Sequence, residues 1–145
     1  MGFTLLELLV TLTVASILAF IAAPNLSNFL LNTRLTTTLN RFVGDLQLAR
    51  SEAIKSNLNV VICASSNTRS CDKKGRWQEG WLIFLDTNLN RQKEVDEIII
   101  QVVNDLDKGM TITGSRSSSI VYMNNGRSPG TNTTITFCDQ RGANA

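Results

Sequence analysis

From Phe3 to Ala23 the chain reads FTLLELLVTLTVASILAFIAA, in which every residue except Glu7 is apolar, or small and weakly polar. About 20 such residues in a row are enough to cross a bilayer as a helix. A carboxylate at the centre of a spanning helix costs about 2.5–3.5 kcal/mol, so Glu7 calls for a partner outside its own helix. The run lacks the basic n-region, the shorter apolar stretch and the small-residue cleavage site of a secretory signal peptide. With the first 23 or so residues given to a membrane, the rest of the 145-residue chain has room for one modest soluble domain.

The apolar run leads into a second helical pattern. After Pro24, apolar residues fall at Leu31, Leu35, Leu39, Phe42, Leu46, Ala49 and Ala53, a stripe at helical spacing. The opposite face carries Arg34, Asn40, Arg41, Asp45, Arg50, Glu52 and Lys55. Pro24 is expected to bend this helix without ending it. Beyond Asn57 the period changes. LNVVICAS, GWLIFLD, EIIIQVV, MTITG, SIVYM and TNTTITFC are short runs rich in β-branched and aromatic residues, separated by Gly, Asn, Asp and Ser clusters. Six strands in succession imply antiparallel pairing, and the resulting sheet offers the amphipathic helix a face to cover. The expected class is α+β, a long N-terminal α-helix with a membrane-spanning first half, packed on an antiparallel β-sheet.

Histidine is absent, which excludes Ser-His and His-metal catalysis. No S-x-x-K signature and no acidic pair with a supporting motif replaces it, so the chain reads as a non-enzyme that needs no cofactor. The three cysteines suit an oxidising compartment. Cys63 and Cys71 bracket the short segment CASSNTRSC, and this bridge is favoured over Cys63 with Cys138. Net charge is only +2, but the last 38 residues hold Lys108, Arg116, Arg127 and Arg141 against Asp139 alone.

The segment GFTLLELLVTLTVASILAFIAAP resembles the type III signal segment of type IV pilins and type II secretion pseudopilins. The resemblance implies a pilin-like fold. It also implies cleavage by prepilin peptidase between Gly2 and Phe3, N-methylation of Phe3, and pairing of Glu7 with the amino terminus of a neighbouring subunit in a filament. Only Met1 and Gly2 precede the cut, where family leaders usually carry several basic residues. The soluble part is similar to the GspH/FimT branch through VVICAS, RWQEGWLIFLDTNLNRQKEVDEIII, YMNNGRSPG and TITFCDQRG. Members of that branch commonly continue past the last motif with one more strand and a basic tail. The organisation expected is a residual leader 1–2, a transmembrane and filament-core helix 3–29, and a soluble pilin-like domain 30–145 made of an amphipathic helix 30–56 and a β-sheet 57–138. The expected setting is the bacterial inner membrane, crossed once, with the C-terminal domain in the periplasm until assembly takes it to the surface or tip of a filament.

Four constellations remain. DTNLNRQKEVDE puts Asp86, Asn88, Asn90 and Glu97 at calcium-loop positions, but Arg91 stands where that loop wants glycine and the flanks read as strands, so a polar hairpin is preferred. NNGRSPG lifts Arg127 between Gly126 and Pro129-Gly130 in a turn-rich stretch. By resemblance, the GRxPG motif of FimT proteins implies binding of double-stranded DNA during natural transformation. Arg127 is then the main phosphate contact, with Arg141, Arg116 and Lys108 as helpers. RSCDKKGRW gathers Arg69, Lys73, Lys74 and Arg76 as a secondary DNA candidate, offset by Asp72 and Glu79. Trp77 and Trp81 read as packing residues in preference to base-stacking platforms. Two functions stay open: a FimT-like minor pilin that captures DNA, and a GspH-like pseudopilin of type II secretion that does not. The GRSPG loop and the basic end lean to the first.

Overall fold

The computed structural model describes residues 4–104, 106, 109–115 and 118–142, with the backbone alone for 23–25. It divides into two compact units, Met1–Arg34 and Leu35–Ala145. One helix, α1 (Leu5–Ser56), forms the first unit and opens the second. Pro24 does not end it.

In the first unit the apolar side chains lie bare all round the helix, from Leu5 (82% exposed) to Phe20 (84%). An 18-residue window here has a mean hydropathy of 2.4, so this helix is long and apolar enough to cross a membrane. An evenly apolar helix belongs in lipid or among other helices. Its weakly polar residues suit that setting because they bond inward. The hydroxyls of Thr11, Thr13 and Ser16 donate to the carbonyls of Leu8, Val10 and Thr13, each at 2.8 Å.

The second unit packs the rest of α1 on strands. β1 (Asn59–Ala64), β2 (Trp81–Asp86), β3 (Ile99–Val103) and β5 (Ser119–Tyr122) form a four-stranded sheet in the order β3-β2-β1-β5, antiparallel throughout. β4 (Thr111–Gly114) and β6 (Ile135–Cys138) make a separate antiparallel pair. All six expected strands are present, but as two sheets and not one. The split has a local cause: β4 alternates exposed threonines with one buried residue, Ile112. So narrow an apolar strip suits a two-stranded flap, whereas Ile120 and Val121 of β5 are buried side by side on opposite faces and need a place beside β1. β6 is also shorter than the run that foretold it.

The inner strands are buried on both faces, which is why NVVICA and WLIFLD are continuous apolar runs without polar alternation. Val60, Ile62, Ala64, Trp81 and Ile83 meet Phe42, Ala49 and Ala53 of the helix. On the opposite face Val61, Cys63, Leu82, Phe84 and Val121 form a second cluster, against which Cys71 packs. Cys63 and Cys71 are joined in a disulfide, as the short spacing suggested. Closing so short a loop stabilises the fold by roughly 2–3 kcal/mol. Cys138 is a free, half-buried thiol.

Phe42 sits at the centre of the helix contact, edge-on to Trp77 (5.6 Å between centroids), Trp81 (5.1 Å) and Phe137 (5.5 Å). Both indoles are fully buried, so neither can serve as a base-stacking platform. The buried stripe of α1 differs from the expected one at two places. Leu39 is 41% exposed, and Asp45, expected on the polar face, is only 8% exposed. The reason is a hydrogen bond: the Trp81 Nε1–H donates to Asp45 Oδ2 at 2.7 Å. Leaving this buried N–H unpaired would cost about 1–3 kcal/mol, and the helix turns a carboxylate toward it. Asn57, in the left-handed conformation (φ 56°), ends the helix, and its short polar side chain tolerates that region.

Replacing Asp45 by Leu leaves the Trp81 N–H without an acceptor and is expected to cost about 1–3 kcal/mol. Asp45→Asn, which keeps an acceptor oxygen, should lose less. Urea unfolding of the full chain in detergent, followed by tryptophan fluorescence, measures both variants.

Candidate functional site

Two regions carry the residues singled out in the sequence. The first is the start of α1. Thr4 precedes the helix, accepting the Leu8 N–H at its carbonyl (3.2 Å) and the Glu7 N–H at Oγ1 (3.3 Å). Thr4 is thus an N-cap, and Thr4-Leu5-Leu6-Glu7 matches the pattern of a capping box, a helix-start signal set inside the apolar run. Glu7 is the acidic residue of the first helical turn, where the helix dipole favours negative charge. Its cost is therefore lower than that of a carboxylate at the centre of a span. Gly2 and Phe3 lie outside the described residues.

The second region is the loop after β5. Gly126 N–H donates to the Met123 carbonyl and Met123 N–H to the Arg127 carbonyl, both at 2.8 Å, closing a tight turn. The Arg127 N–H donates to Asn125 Oδ1 at 3.0 Å. Gly126 is buried with φ +73°, and a Cβ there would come within 2.8 Å of Ile54 Cδ1 on α1. Only glycine combines that backbone conformation with that close approach. Asn124 Nδ2 donates to Asn57 Oδ1 at 3.2 Å, a second tie between the loop and the helix end. The next residues, Arg127, Ser128, Pro129 and Gly130, are all exposed, and Gly130 also has a positive φ of 73°. Arg127 is thus held out from a turn whose base is fixed. Its guanidinium makes no ion pair among the described residues.

The other basic candidates are placed differently. Arg141 forks onto Asp139, its Nε lying 3.1 and 3.0 Å from the two carboxylate oxygens. Lys108 and Arg116 lie outside the described residues. Lys73 and Lys74 are exposed on the turn after Cys71, while Arg76 of the same cluster pairs with Asp72 (2.7 Å) and Glu79 (2.8 Å). Sequence order placed these groups in two stretches, and nothing described here joins Lys73 and Lys74 to the Arg127 loop.

The calcium-like loop is held together by its own bonds. Asp86 is buried and accepts the N–H groups of Asn90 (3.2 Å) and Arg91 (3.1 Å). Glu97, also buried, accepts those of Thr87 and Glu94, each at 3.0 Å. The Asn88 and Asn90 amides donate to Glu94 at 2.8 and 2.9 Å. Arg91 does adopt the left-handed conformation (φ 61°) that favours glycine there. Among the described residues no three His, Cys, Asp or Glu side chains gather as a metal centre.

A long N-terminal helix, apolar in its first half and laid in its second on an antiparallel sheet, with a disulfide loop behind, defines a pilin-type subunit. The fold matches two crystal structures of the type IV minor pilin FimU of Pseudomonas aeruginosa strain PAO1. One has a TM-score of 0.58 at 18% identity over 75% of each chain; the other has 0.54 at 18% identity, over 72% of this chain and 74% of that one. None of the curated proteins compared matches the chain. The model of the family described as type II transport protein GspH matches residues 38–145, and the chain belongs to that family. It is accordingly a subunit of the pilin and pseudopilin class, which assembles with other such subunits, and its N-terminal helix suits a membrane-anchored filament component.

Two hydrogen-bonded carboxylates of the second unit contribute to its acid sensitivity. The Arg141 side chain, then its backbone N–H, hold the Asp139 carboxyl below the usual range. The Lys74 N–H, then the Arg76 side chain, do the same for Asp72. Both groups have lower pKa values folded than unfolded, so their contribution to stability is complete above about pH 4. It is lost as pH falls through the lowered native values. Unfolding midpoints measured from about pH 5 down to 2 are expected to fall, and to fall less steeply in Asp139→Asn.

Proposed function

We propose that this chain is a FimT-like minor pilin that binds double-stranded DNA without regard to sequence and serves natural transformation. The observation that carries this reading is the display of Arg127: an exposed guanidinium, without an ion pair among the described residues, on a loop anchored to α1 through Gly126 and Asn124. A planar cation held in place suits a phosphate, and nothing nearby is arranged to read base edges. Arg127 leads, with Gly126, Pro129 and Gly130 shaping its loop. Lys73 and Lys74 add exposed charge, and Lys108 and Arg116 extend the basic end. Arg141 contributes less, since Asp139 already accepts it.

In this reading prepilin peptidase cuts between Gly2 and Phe3, Phe3 is N-methylated, and the subunit waits in the inner membrane with its second unit in the periplasm. On assembly Glu7 meets the amino terminus of a neighbour. A second reading is favoured by the family's description: a pseudopilin of type II secretion that binds no DNA.

A mobility shift of the full chain in non-ionic detergent with duplex DNA separates the two. Retention that fades between about 50 and 200 mM salt and is weakened by Arg127→Ala is expected. No retention at low salt points to the secretion subunit. For assembly, Glu7→Ala in cells is expected to remove the subunit from sheared filaments, as read by immunoblot; undiminished incorporation would rule out the role given to Glu7.

A further inference from the structure

We propose that Arg50 of α1 is a second contact to the DNA phosphate backbone, presented together with Arg127 through the loop that packs on it. This rests on the DNA reading above and adds to it a residue 77 positions away in sequence.

The juxtaposition turns on Gly126. A Cβ at Gly126 would lie 3.3 Å from Arg50 Nε, so the arginine stem and head run against the residue immediately before Arg127. Ile54, one turn further along α1, meets the same point, its Cδ1 at 2.8 Å, so the two helix side chains together form the surface on which this glycine rests. Tyr122, at the end of β5, also senses this cation: burial pushes its phenol up, and the positive field of Arg50 opposes the shift. Arg50 itself is exposed and makes no ion pair among the described residues.

On the two elements that form this corner, acidic groups are either absent or engaged. From Ser119 to Cys138 the chain contains no Asp or Glu. On α1, Asp45 is buried against Trp81, and Glu52 accepts Lys55 Nζ at 3.1 Å. Two exposed guanidiniums from different elements, with no free carboxylate of those elements beside them, make a surface for a repeating anion. A duplex supplies one phosphate per about 1.7 Å of axis, so a rigid protein surface with two cations can engage two of them. The amides of Asn57, Asn124 and Asn125 lie at the same corner, and the first two bond each other, so the loop is fixed before any ligand arrives.

The competing account is structural. Arg50 lies against the loop at Gly126, where its side chain can serve packing alone. That account moves stability alone. The phosphate account moves the salt dependence of binding as well.

Fluorescence anisotropy of a labelled duplex with the full chain in non-ionic detergent, across a salt series, distinguishes them. Arg50→Gln is expected to weaken binding several-fold whatever the DNA sequence, and to lower the slope of log K against log salt by about 1. Arg50→Lys should recover most of the affinity. Arg41→Gln removes the same charge from an exposed position nine residues earlier, about half a turn round the helix, and should bind as the parent does. A second measurement needs no variant: in the parent protein, DNA should protect Arg50 and Arg127 from phenylglyoxal, read by peptide mass, and leave Arg41 reactive.

Loss of binding in Arg127→Gln with parental affinity and slope in Arg50→Gln would overturn the inference and leave the DNA reading intact. So would equal losses in Arg50→Gln and Arg41→Gln, or Arg50 modified equally with and without DNA. Arg50-dependent binding to phosphatidylglycerol vesicles, with DNA binding indifferent to Arg50, would assign the residue to the membrane surface and overturn it too. A parent protein that binds no DNA at low salt would overturn both.

Discussion

Phe42 has three aromatic neighbours set edge-on around it, and the second unit depends on that contact. The α1 helix must hold a sheet with one narrow apolar stripe, and alanines at 49 and 53 bring the backbones close without contributing much area. The large buried surface comes from Trp77, Trp81 and Phe137 gathering on a single phenyl ring. An indole placed so deeply creates a second demand, an acceptor for its N–H, and Asp45 meets it for Trp81 from the same helix one turn on. Helix and sheet are thereby fixed in rotation as well as in distance, since a helix turned the other way would give the carboxylate to solvent and leave the buried Trp81 N–H without an acceptor.

That fixed rotation carries over to the loops. Once Phe42 and Asp45 face the sheet, Arg50 and Ile54 are turned toward the end of β5, and the glycine there is the residue that lets the loop close on them. The opposite face of the sheet is handled differently. Among the described residues no helix covers Val61, Leu82 and Phe84; a disulfide-closed loop lies there, and its Cys71 packs on that cluster. A small domain gains more from such a covalent tie than from another few apolar contacts, because its core is limited in area.

The sequence made the elements legible and left their arrangement less so. The change of period at Asn57, the six apolar runs and the Cys63–Cys71 pairing are local signals, and each has its counterpart in the structure. Two strands and a helix face were placed imperfectly for reasons that are not local. Whether β4 joins β3 or β6 depends on how much apolar surface each strand must hide, which the runs themselves do not reveal. Asp45 reads as a surface residue until Trp81, 36 positions away, is known to lie over it. Arg127 stood out from its turn residues, whereas Arg50 carries no mark of its own, because its placement follows from the loop packing on α1. The capping pattern Thr4-x-x-Glu7 was open to view and was masked by the apolar run around it.

A carboxylate judged against the centre of a lipid-spanning helix needs rescue by a counter-charge. At the third residue of the helix Glu7 already faces the positive end of the dipole, and Thr4 has satisfied part of the exposed backbone there. The charge is then tolerable at the helix start itself, and in the assembly proposed above a neighbour's amine would add to a favourable setting. An attraction of that kind would work chiefly through register: along an apolar helix surface a carboxylate–amine pair is a strong directional interaction, so the pairing proposed above would select which axial offset of two subunits is bound most tightly. A side chain such as Gln would hold a hydrogen bond at that offset but would lose most of the discrimination, because a neutral dipole is attracted far less strongly to a cation than a full charge is. The role proposed for Glu7 is therefore one of alignment, resting on a helix start that can carry the charge alone.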